Sequence, residues 1–334
     1  MRTHGASAVS ADPVPGPRPA RTRRWARRIG VTLATVWLLV TIGSLVANAL
    51  TTPAATFPAP DGLDVSVSGV RVHYREWGTG GSPVVLVHGF VESTAAWSTV
   101  GPLLARTHTV YALDLMGYGY TAYTGRYTLL DEAILVDGFI RALGLDRPVL
   151  VGHSLGAAVV GAVALAHPGD VRGVVFADGD ALPFNGRRGG VPTWPFRLPY
   201  VTTAYRIGTR WSWVGASLIK AECGTTCLGY SPALARAWLR PLQQGAAEQA
   251  LPRIAHDGVL HLEAARIRAI DVPRAVIWGG QDTSAGGSLA AARANLGNPP
   301  TRVVPGAGHL SMISQPEVFA TDLDELVAGM PVAG

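Results

Sequence analysis

The sequence predicts an α/β fold built on a mostly parallel sheet with helices on both faces. Two observations carry that expectation. Strand-like apolar runs alternate with helix-like segments from residue 84 to residue 327, the pattern of parallel strands joined by crossover helices. Three of those runs, at 148–151, 273–278 and 301–304, are followed by turns rich in glycine, and each turn carries a residue able to do chemistry.

Residues 148–156 read Pro-Val-Leu-Val-Gly-His-Ser-Leu-Gly. The apolar run at 148–151 is a buried parallel strand by its composition, and residues 157–166, rich in Ala and Val, read as a helix. A G-x-S-x-G between a strand and a helix is a turn sharp enough to expose its serine, here Ser154. The positions two before and two after must carry almost no side chain, and Gly152 and Gly156 meet that need. An ordinary strand-to-helix turn is the alternative, and the flanking strand and helix weigh against it.

A serine hydroxyl attacks well only when a base takes its proton and an acid orients the base. Residues 273–282 run from an apolar strand through Gly-Gly to Asp282. Residues 301–309 form a second short strand and a Gly-rich loop ending in His309, with a helix-like stretch at 286–297 between the two. Asp282 and His309 therefore follow consecutive strands at the sheet edge that also holds Ser154, where ligand sites of open α/β sheets form. A rival acid is Asp178, which ends the strand-like 171–178 and is followed by Asp180. His153 points away from a sharp turn, and His167 ends a helix before Pro168, so neither competes with His309 as the base.

An oxyanion needs two backbone N–H donors. The N–H of Leu155, just after the serine, is one. The N–H of Phe90, in the loop after the strand in 83–90, is the other. His88 is expected to be a structural loop residue. After the strand at 109–113, Asp114 is expected to stabilise a loop shaped by Gly117 and Gly119.

In these segments (His88-Gly89-Phe90, Asp114 to Gly119, Gly152 to Gly156, Trp278 to Asp282, Gly308-His309) the chain resembles the α/β-hydrolase family, in its epoxide-hydrolase-like and serine-esterase branch with a cap. The resemblance implies an eight-stranded, mostly parallel sheet with a helical cap inserted after strand six. Epoxide hydrolases and haloalkane dehalogenases resemble it too but carry Asp as nucleophile. Ser154 stands there in this chain, so an acyl-enzyme is implied, formed on carboxylic esters, thioesters, amides or activated C–C bonds. The preferred reading is a carboxylic ester hydrolase of lipase or esterase type, acting on a small-molecule ester or related acyl substrate. A C–C bond hydrolase, a cofactor-free haloperoxidase-like enzyme and a non-catalytic binding protein on the same fold are the alternatives.

The hydrolase domain is read as 62–334, with the cap at about 182–255, where the alternation breaks. That stretch opens Pro/Gly-rich and continues as helical pieces. Trp194, Phe196, Tyr200, Trp211, Trp213 and Trp238 form an apolar ceiling there; most are expected to pack the cap on the core and a few to line an acyl pocket. Residues 128–145 read as an amphipathic helix capped by Thr128, with Asp131 in its first turn.

Ahead of the domain, residues 29–50 hold 22 positions without a charge, enough to cross a bilayer as a helix. Residues 1–28 form a basic tail, with Arg21, Arg23, Arg24, Arg27 and Arg28 next to the apolar stretch. This arrangement keeps the tail in the cytoplasm and exports the domain from a single-pass cell-membrane anchor. Cleavage near Ala49, at Ala47-Asn48-Ala49, is the alternative and would release a secreted enzyme. Thr22-Arg23-Arg24-Trp25 also weakly resembles a twin-arginine signal. Residues 51–61, rich in Pro, Ala and Thr, suit an extended tether.

The net charge of +5 lies in this leader: residues 1–50 carry seven Arg against Asp12, and the remainder sums to −1. Nucleic-acid binding is therefore not expected of the domain. Lys220 is the single lysine, an Arg bias that suits a GC-rich bacterial genome. Cys223 and Cys227 are expected to form a local disulfide that pins a cap loop and has no catalytic role. No metal site and no cofactor are called for.

Overall fold

Among the described residues eight strands form one sheet, in which the first, second, fourth, third, fifth, sixth, seventh and eighth along the chain lie side by side in that order. The computed structural model describes residues 20–179, 190–283 and 288–331. Asp180, residues 182–189 of the expected cap, residues 286–287 of the expected helix and residues 1–19 of the basic tail lie outside them. β1 (Leu63–Val67) and β2 (Val70–Trp77) form an antiparallel hairpin, and β2 pairs antiparallel with β4 (Thr109–Leu113). β3 (Pro83–Val87), β5 (Val149–His153), β6 (Gly173–Ala177), β7 (Arg274–Gly279) and β8 (Thr301–Val304) continue the sheet in parallel. The hairpin lies outside the alternation read from sequence: β1 is a mostly exposed edge strand that holds an ion pair between Asp64 and Arg71.

The parallel strands bury both faces, which is why they read as continuous apolar runs. Val85, Val87, Leu150, Val174 and Phe176 face one core; Val84, Leu86, Val149, Val151 and Val175 face the other. Each such side chain contributes about 1.5–3 kcal/mol on burial. After α1 (Ala20–Leu50) and the small α2 (Val100–Leu104), the long α3 (Leu129–Ala142) and α4 (Leu155–Ala166) cover the first face. The Thr128 hydroxyl accepts from Asp131 N–H at 3.2 Å and caps α3. The helix stops at Ala142, short of residue 145, because Gly144 turns into the left-handed region (φ +63°).

α5 (Pro199–Gly208), α6 (Ser212–Glu222), α7 (Pro232–Leu239) and α8 (Gly245–Asp257) form the cap between β6 and β7. The short α9 (Ala264–Arg268) leads into β7, and α10 (Leu289–Asn295) follows it. α11 (Ser311–Ser314) and α12 (Pro316–Ala328) close the chain, with Phe319, Leu323 and Val327 of α12 in the second core.

The segment at 51–61 does not hang as a free tether. Gly245 and Ala246 N–H donate to the carbonyls of Ala54 and Ala55, both at 2.9 Å, and Phe57 N–H donates to Gln244 Oε1 at 3.2 Å. Arg240 lies over the Phe57 ring at 5.2 Å. The last turns of α1 dock on α5: Asn48 Nδ2 donates to Pro199 O at 2.7 Å, and Thr203 Oγ1 donates to Asn48 Oδ1 at 2.9 Å. Arg206 donates to Asn48 O at 2.7 Å while paired with Glu248 through two bonds of 2.7 and 2.8 Å. Among the described residues α1 is the one helix long and apolar enough to cross a membrane, and most of its apolar side chains are exposed.

Candidate active site

Ser154 sits at the tip between β5 and α4 with φ 50° and ψ −113°, a strained conformation that only a tight turn enforces. A Cβ on Gly152 would lie 2.3 Å from Gly156 O, and one on Gly156 would lie 2.4 Å from Val87 O. The turn therefore needs glycine at both places. Leu155 is the first residue of α4, so its N–H belongs to the helical turn that lacks intrahelical acceptors. Phe90 lies in the loop after β3 and lines the same cavity as Ser154.

The C-terminal ends of β7 and β8 bring the other two groups in. His309 Nε2 lies 3.0 Å from Ser154 Oγ, and His309 Nδ1 lies 2.9 Å from Asp282 Oδ2. The Asp282 side chain is 1% exposed and that of His309 11%, so the line opens to solvent at the serine end. Asp178, the rival acid, is directed elsewhere. Its carboxylate accepts from Gly279 N–H at 2.6 Å and from the Ser311 hydroxyl, and so ties the end of β6 to β7 and α11. Burial raises its pKa to about 6 against the opposing pull of His153 and His309.

His88 and Asp114 have structural surroundings. His88 Nε2 accepts from Leu115 N–H at 3.1 Å, and the Asp114 carboxylate accepts from Thr94 and Tyr120 N–H at 2.6 and 2.8 Å. Sequence reasoning missed Glu92. Its carboxylate accepts from Gly89 N–H at 2.9 Å and lies 3.0 Å from His153 Nδ1. His153 does point away from the serine, yet it reaches His309, whose carbonyl it meets through Nε2 at 2.8 Å. Burial lowers the His153 pKa, but Glu92 more than offsets this and holds it at about 9. Nothing in the local sequence marks Glu92; only its place three residues after Gly89 hints at a loop contact.

A cavity of about 550 Å³ stands over Ser154. Its wall is mostly apolar, with Val91, Val214, Leu218, Trp238, Val259 and Leu310 beside Phe90. Among the described residues that line it there is no Lys or Arg, and there are Glu92 and Glu222. Of the cap aromatics, Trp213 and Trp238 line the cavity, as expected of a few, while the packing role expected of most does not hold for the exposed ones. Trp238 is buried, but Trp194, Trp211 and Trp213 are 62%, 52% and 61% exposed, with Trp211 and Trp213 stacked at 5.8 Å. Cys223 and Cys227 are bonded to each other.

A sharp serine turn after β5, an acid and a histidine after β7 and β8, and a helical cap between β6 and β7 define one class of protein. The chain belongs to the alpha/beta hydrolase family, whose pattern matches residues 84–323. It is 32% identical over 199 residues to N-formylmaleamate deformylase of Pseudomonas putida, a match covering 55% of this chain and 70% of that one. It is 31% identical over 131 residues to 2-hydroxymuconate semialdehyde hydrolase of a Pseudomonas species, covering 37% of this chain and 45% of that relative. The structure of a membrane phospholipase A superposes with a TM-score of 0.65 over 92% of this chain and 98% of its own. At 19% identity that likeness is one of fold.

Proposed function

We propose that this chain is a serine hydrolase that cleaves carboxylic esters through an acyl-enzyme. The observation that carries the reading is the unbroken line from Ser154 Oγ through His309 to Asp282, with bonds of 3.0 and 2.9 Å, at the floor of an apolar cavity. Ser154 Oγ attacks the ester carbonyl as His309 Nε2 takes its proton. Leu155 and Phe90 N–H hold the oxyanion. His309 returns the proton to the departing alkoxide, and the alcohol leaves. Water, deprotonated by the same nitrogen, then attacks the acyl group and frees the acid and Ser154. Asp282 fixes the His309 tautomer and stabilises its imidazolium.

The relatives named above favour a second reading, C–C or amide cleavage on an anionic substrate. Maleamate and muconate are carboxylates, and a buried carboxylate needs a cationic partner. The described residues that line the cavity include no such partner, and Glu92 and Glu222 stand there instead. A neutral, apolar acyl chain suits it better.

The same proposal places the enzyme on a membrane, with residues 29–50 as a retained anchor and the domain outside the cytoplasm. Asn48, at the centre of the candidate cleavage site, is bonded to Pro199 and Thr203 and accepts from Arg206. Cleavage after Ala49 would strip the cap of these partners. α5 contacts α1 from Ser44 to Thr51, within about 10 Å of the end of the apolar stretch at 1.5 Å per residue. The exposed Trp194 and Trp211 flank α5, where tryptophan suits a lipid–water interface. The substrate class is accordingly an acyl ester met at the bilayer surface.

Fluorophosphonate labelling of the full-length protein in detergent, read by intact mass and peptide mapping, tests the reading. One label on Ser154, absent in Ser154→Ala, supports it. No label on a folded sample would sink it and favour a binding protein.

A further inference from the structure

The turn from Cys223 to Cys227 belongs to the cap, yet its hydrogen bonds go to the loop that carries His309. The two amides flanking that histidine both donate to it: Gly308 N–H to Cys223 O at 2.7 Å and Leu310 N–H to Glu222 O at 3.0 Å. On the far side Thr225 N–H donates to Gly306 O at 3.1 Å, and Gly224 bridges Ala307. Leu228 and Gly229 N–H donate to Ser314 O and Ile313 O at 2.9 and 2.8 Å, and the hydroxyls of Thr226 and Ser314 meet at 2.8 Å. The turn also reaches the acid, since Thr225 N–H donates to the side chain of Gln281, next to Asp282, at 2.9 Å. The cap therefore touches the His309 loop and α11 residue by residue through the end of α6 and the turn that follows it, residues 222–229.

What keeps that turn in shape is the bridge. Gly224 has φ +83°, Thr225 is exposed, and no helix or strand runs through 223–229. α6 ends at Glu222, so the carbonyls of Glu222 and Cys223 are end-of-helix acceptors, and the His309 loop uses them. Cys223 is fully buried in the second core, whereas Cys227 is half-buried.

We propose that the Cys223–Cys227 bridge is a redox-sensitive positioning device for His309. With the bridge closed, the carbonyls of Glu222 and Cys223 hold Leu310 and Gly308 respectively, and His309 Nε2 stays within reach of Ser154. The bridge opens by exchange with an external dithiol. A thiolate of the dithiol attacks the sulfur of the less buried Cys227 and displaces the Cys223 thiolate. The second thiol of the dithiol then resolves the mixed disulfide. Two cysteine thiols form, and the dithiol leaves as a disulfide, so two electrons and two protons pass to the protein. The freed turn no longer fixes the loop, and the Ser154–His309 contact loosens. This inference rests on the acyl-transfer reading of Ser154 and His309, and it departs from the expectation that the bridge only pins a cap loop and has no catalytic role.

The test uses full-length protein in detergent micelles and a soluble short-chain nitrophenyl ester. Wild type, Ser154→Ala and the Cys223→Ser/Cys227→Ser double variant are assayed before and after dithiothreitol and again after reoxidation. Intact mass after alkylation counts the thiols. Reduced wild type should lose kcat by about tenfold to a hundredfold, the scale expected for a misplaced catalytic group, with KM changed less than about twofold. Reoxidation should restore it, and the double variant should be slow and indifferent to the dithiol. Wild type that gains two thiols and keeps its kcat would overturn the proposal, as would kcat and KM falling together through collapse of the cap. If the double variant does not fold, the reduction and reoxidation of wild type decide alone. Failure of the underlying reading shows separately, as Ser154→Ala turning over like oxidised wild type.

Discussion

The imidazole of His153 donates from Nε2 to the backbone carbonyl of His309 at 2.8 Å, so the residue before the serine holds the loop that carries the histidine. Its other nitrogen faces the Glu92 carboxylate at 3.0 Å. A carbonyl and a carboxylate are both acceptors only, so both ring nitrogens must donate, and the ring is an imidazolium. A pKa of about 9 agrees with that geometry. Glu92 also accepts from Gly89 N–H, so one buried ion pair joins the loop of Phe90, the serine turn and the loop of His309.

That pair makes stability depend on pH in a defined direction. His153 titrates at an ordinary 6.5 in the unfolded chain and at about 9 in the folded one. Its contribution is whole below 6.5 and is lost as pH rises through 9. Glu92 is held below its ordinary range by His153 despite burial, so its contribution is present above pH 4.5 and is lost in acid. Glu132, pushed up to about 8 by burial, also makes stability fall with rising pH, so the diagnostic quantity is a difference. Wild type should lose its advantage over Glu92→Gln between pH 6.5 and 9.5. At pH 6.5 that variant should be about 3 kcal/mol less stable, the scale for breaking a buried pair. Thermal melts across the range check this, and parallel curves would refute it.

Ser154→Ala should leave the melt unchanged and lower kcat by roughly a millionfold, because a triad fails as a unit when its nucleophile goes. His309→Ala should cost a similar factor. Ester turnover with each purified variant checks both, and retention of more than about a hundredth of wild-type kcat in either would reassign the nucleophile or the base.

The sheet and the serine turn were legible because their physics is local. A strand buried on both faces reads as an apolar run, and a turn in which a Cβ on Gly152 would lie 2.3 Å from Gly156 O excludes side chains. The order of Asp282 and His309 along the chain was legible for the same reason, each at the end of a short apolar run. What escaped are relations between distant segments. Glu92 meets His153 61 residues away, and the Cys223 carbonyl meets Gly308 across the whole of α7 to β8. The docking of Asn48 on Thr203 spans 155 positions. No periodicity encodes such contacts. Trp194 and Trp211 are exposed and outside the cavity wall, because composition gives the number of tryptophans but not the side of the cap they occupy.

The two acids should separate by what they break. Asp282→Asn removes the acceptor that fixes the tautomer of His309, so kcat should fall by about a thousandfold or more with little change in melting. Asp178→Asn keeps one carbonyl acceptor for Gly279 N–H but weakens the bond from Ser311. It should lower the melting temperature by several degrees while kcat drops less than about tenfold. The opposite ranking in an ester assay would move the acid to Asp178.

The docking of α1 on the cap predicts a substrate-dependent phenotype at Trp211 and Arg206. Trp211 is 52% exposed, is not among the residues lining the cavity and immediately precedes α6, close in sequence to the end of α5. If α5 lies at the bilayer surface, Trp211→Ser removes an interfacial contact worth about 1 kcal/mol and slows hydrolysis of a bilayer-embedded fluorogenic ester by roughly fivefold. A water-soluble short-chain ester should be cleaved as by wild type, because its path does not cross the interface. Arg206 is 12% exposed and joins Glu248 to the carbonyl of Asn48, so Arg206→Ala loosens the end of α1 on the cap, where the bonds of Asn48 to Pro199 and Thr203 remain, and removes the cation beside Glu248. It should show the same split between substrates, accompanied by faster proteolysis in residues 51–61, whose backbone is stitched to α8 beside that pair. Full-length protein in lipid vesicles reads both effects. Equal loss on the two esters would mean that the variants damage the cavity itself, and no loss on either would mean that the cap does not face the bilayer.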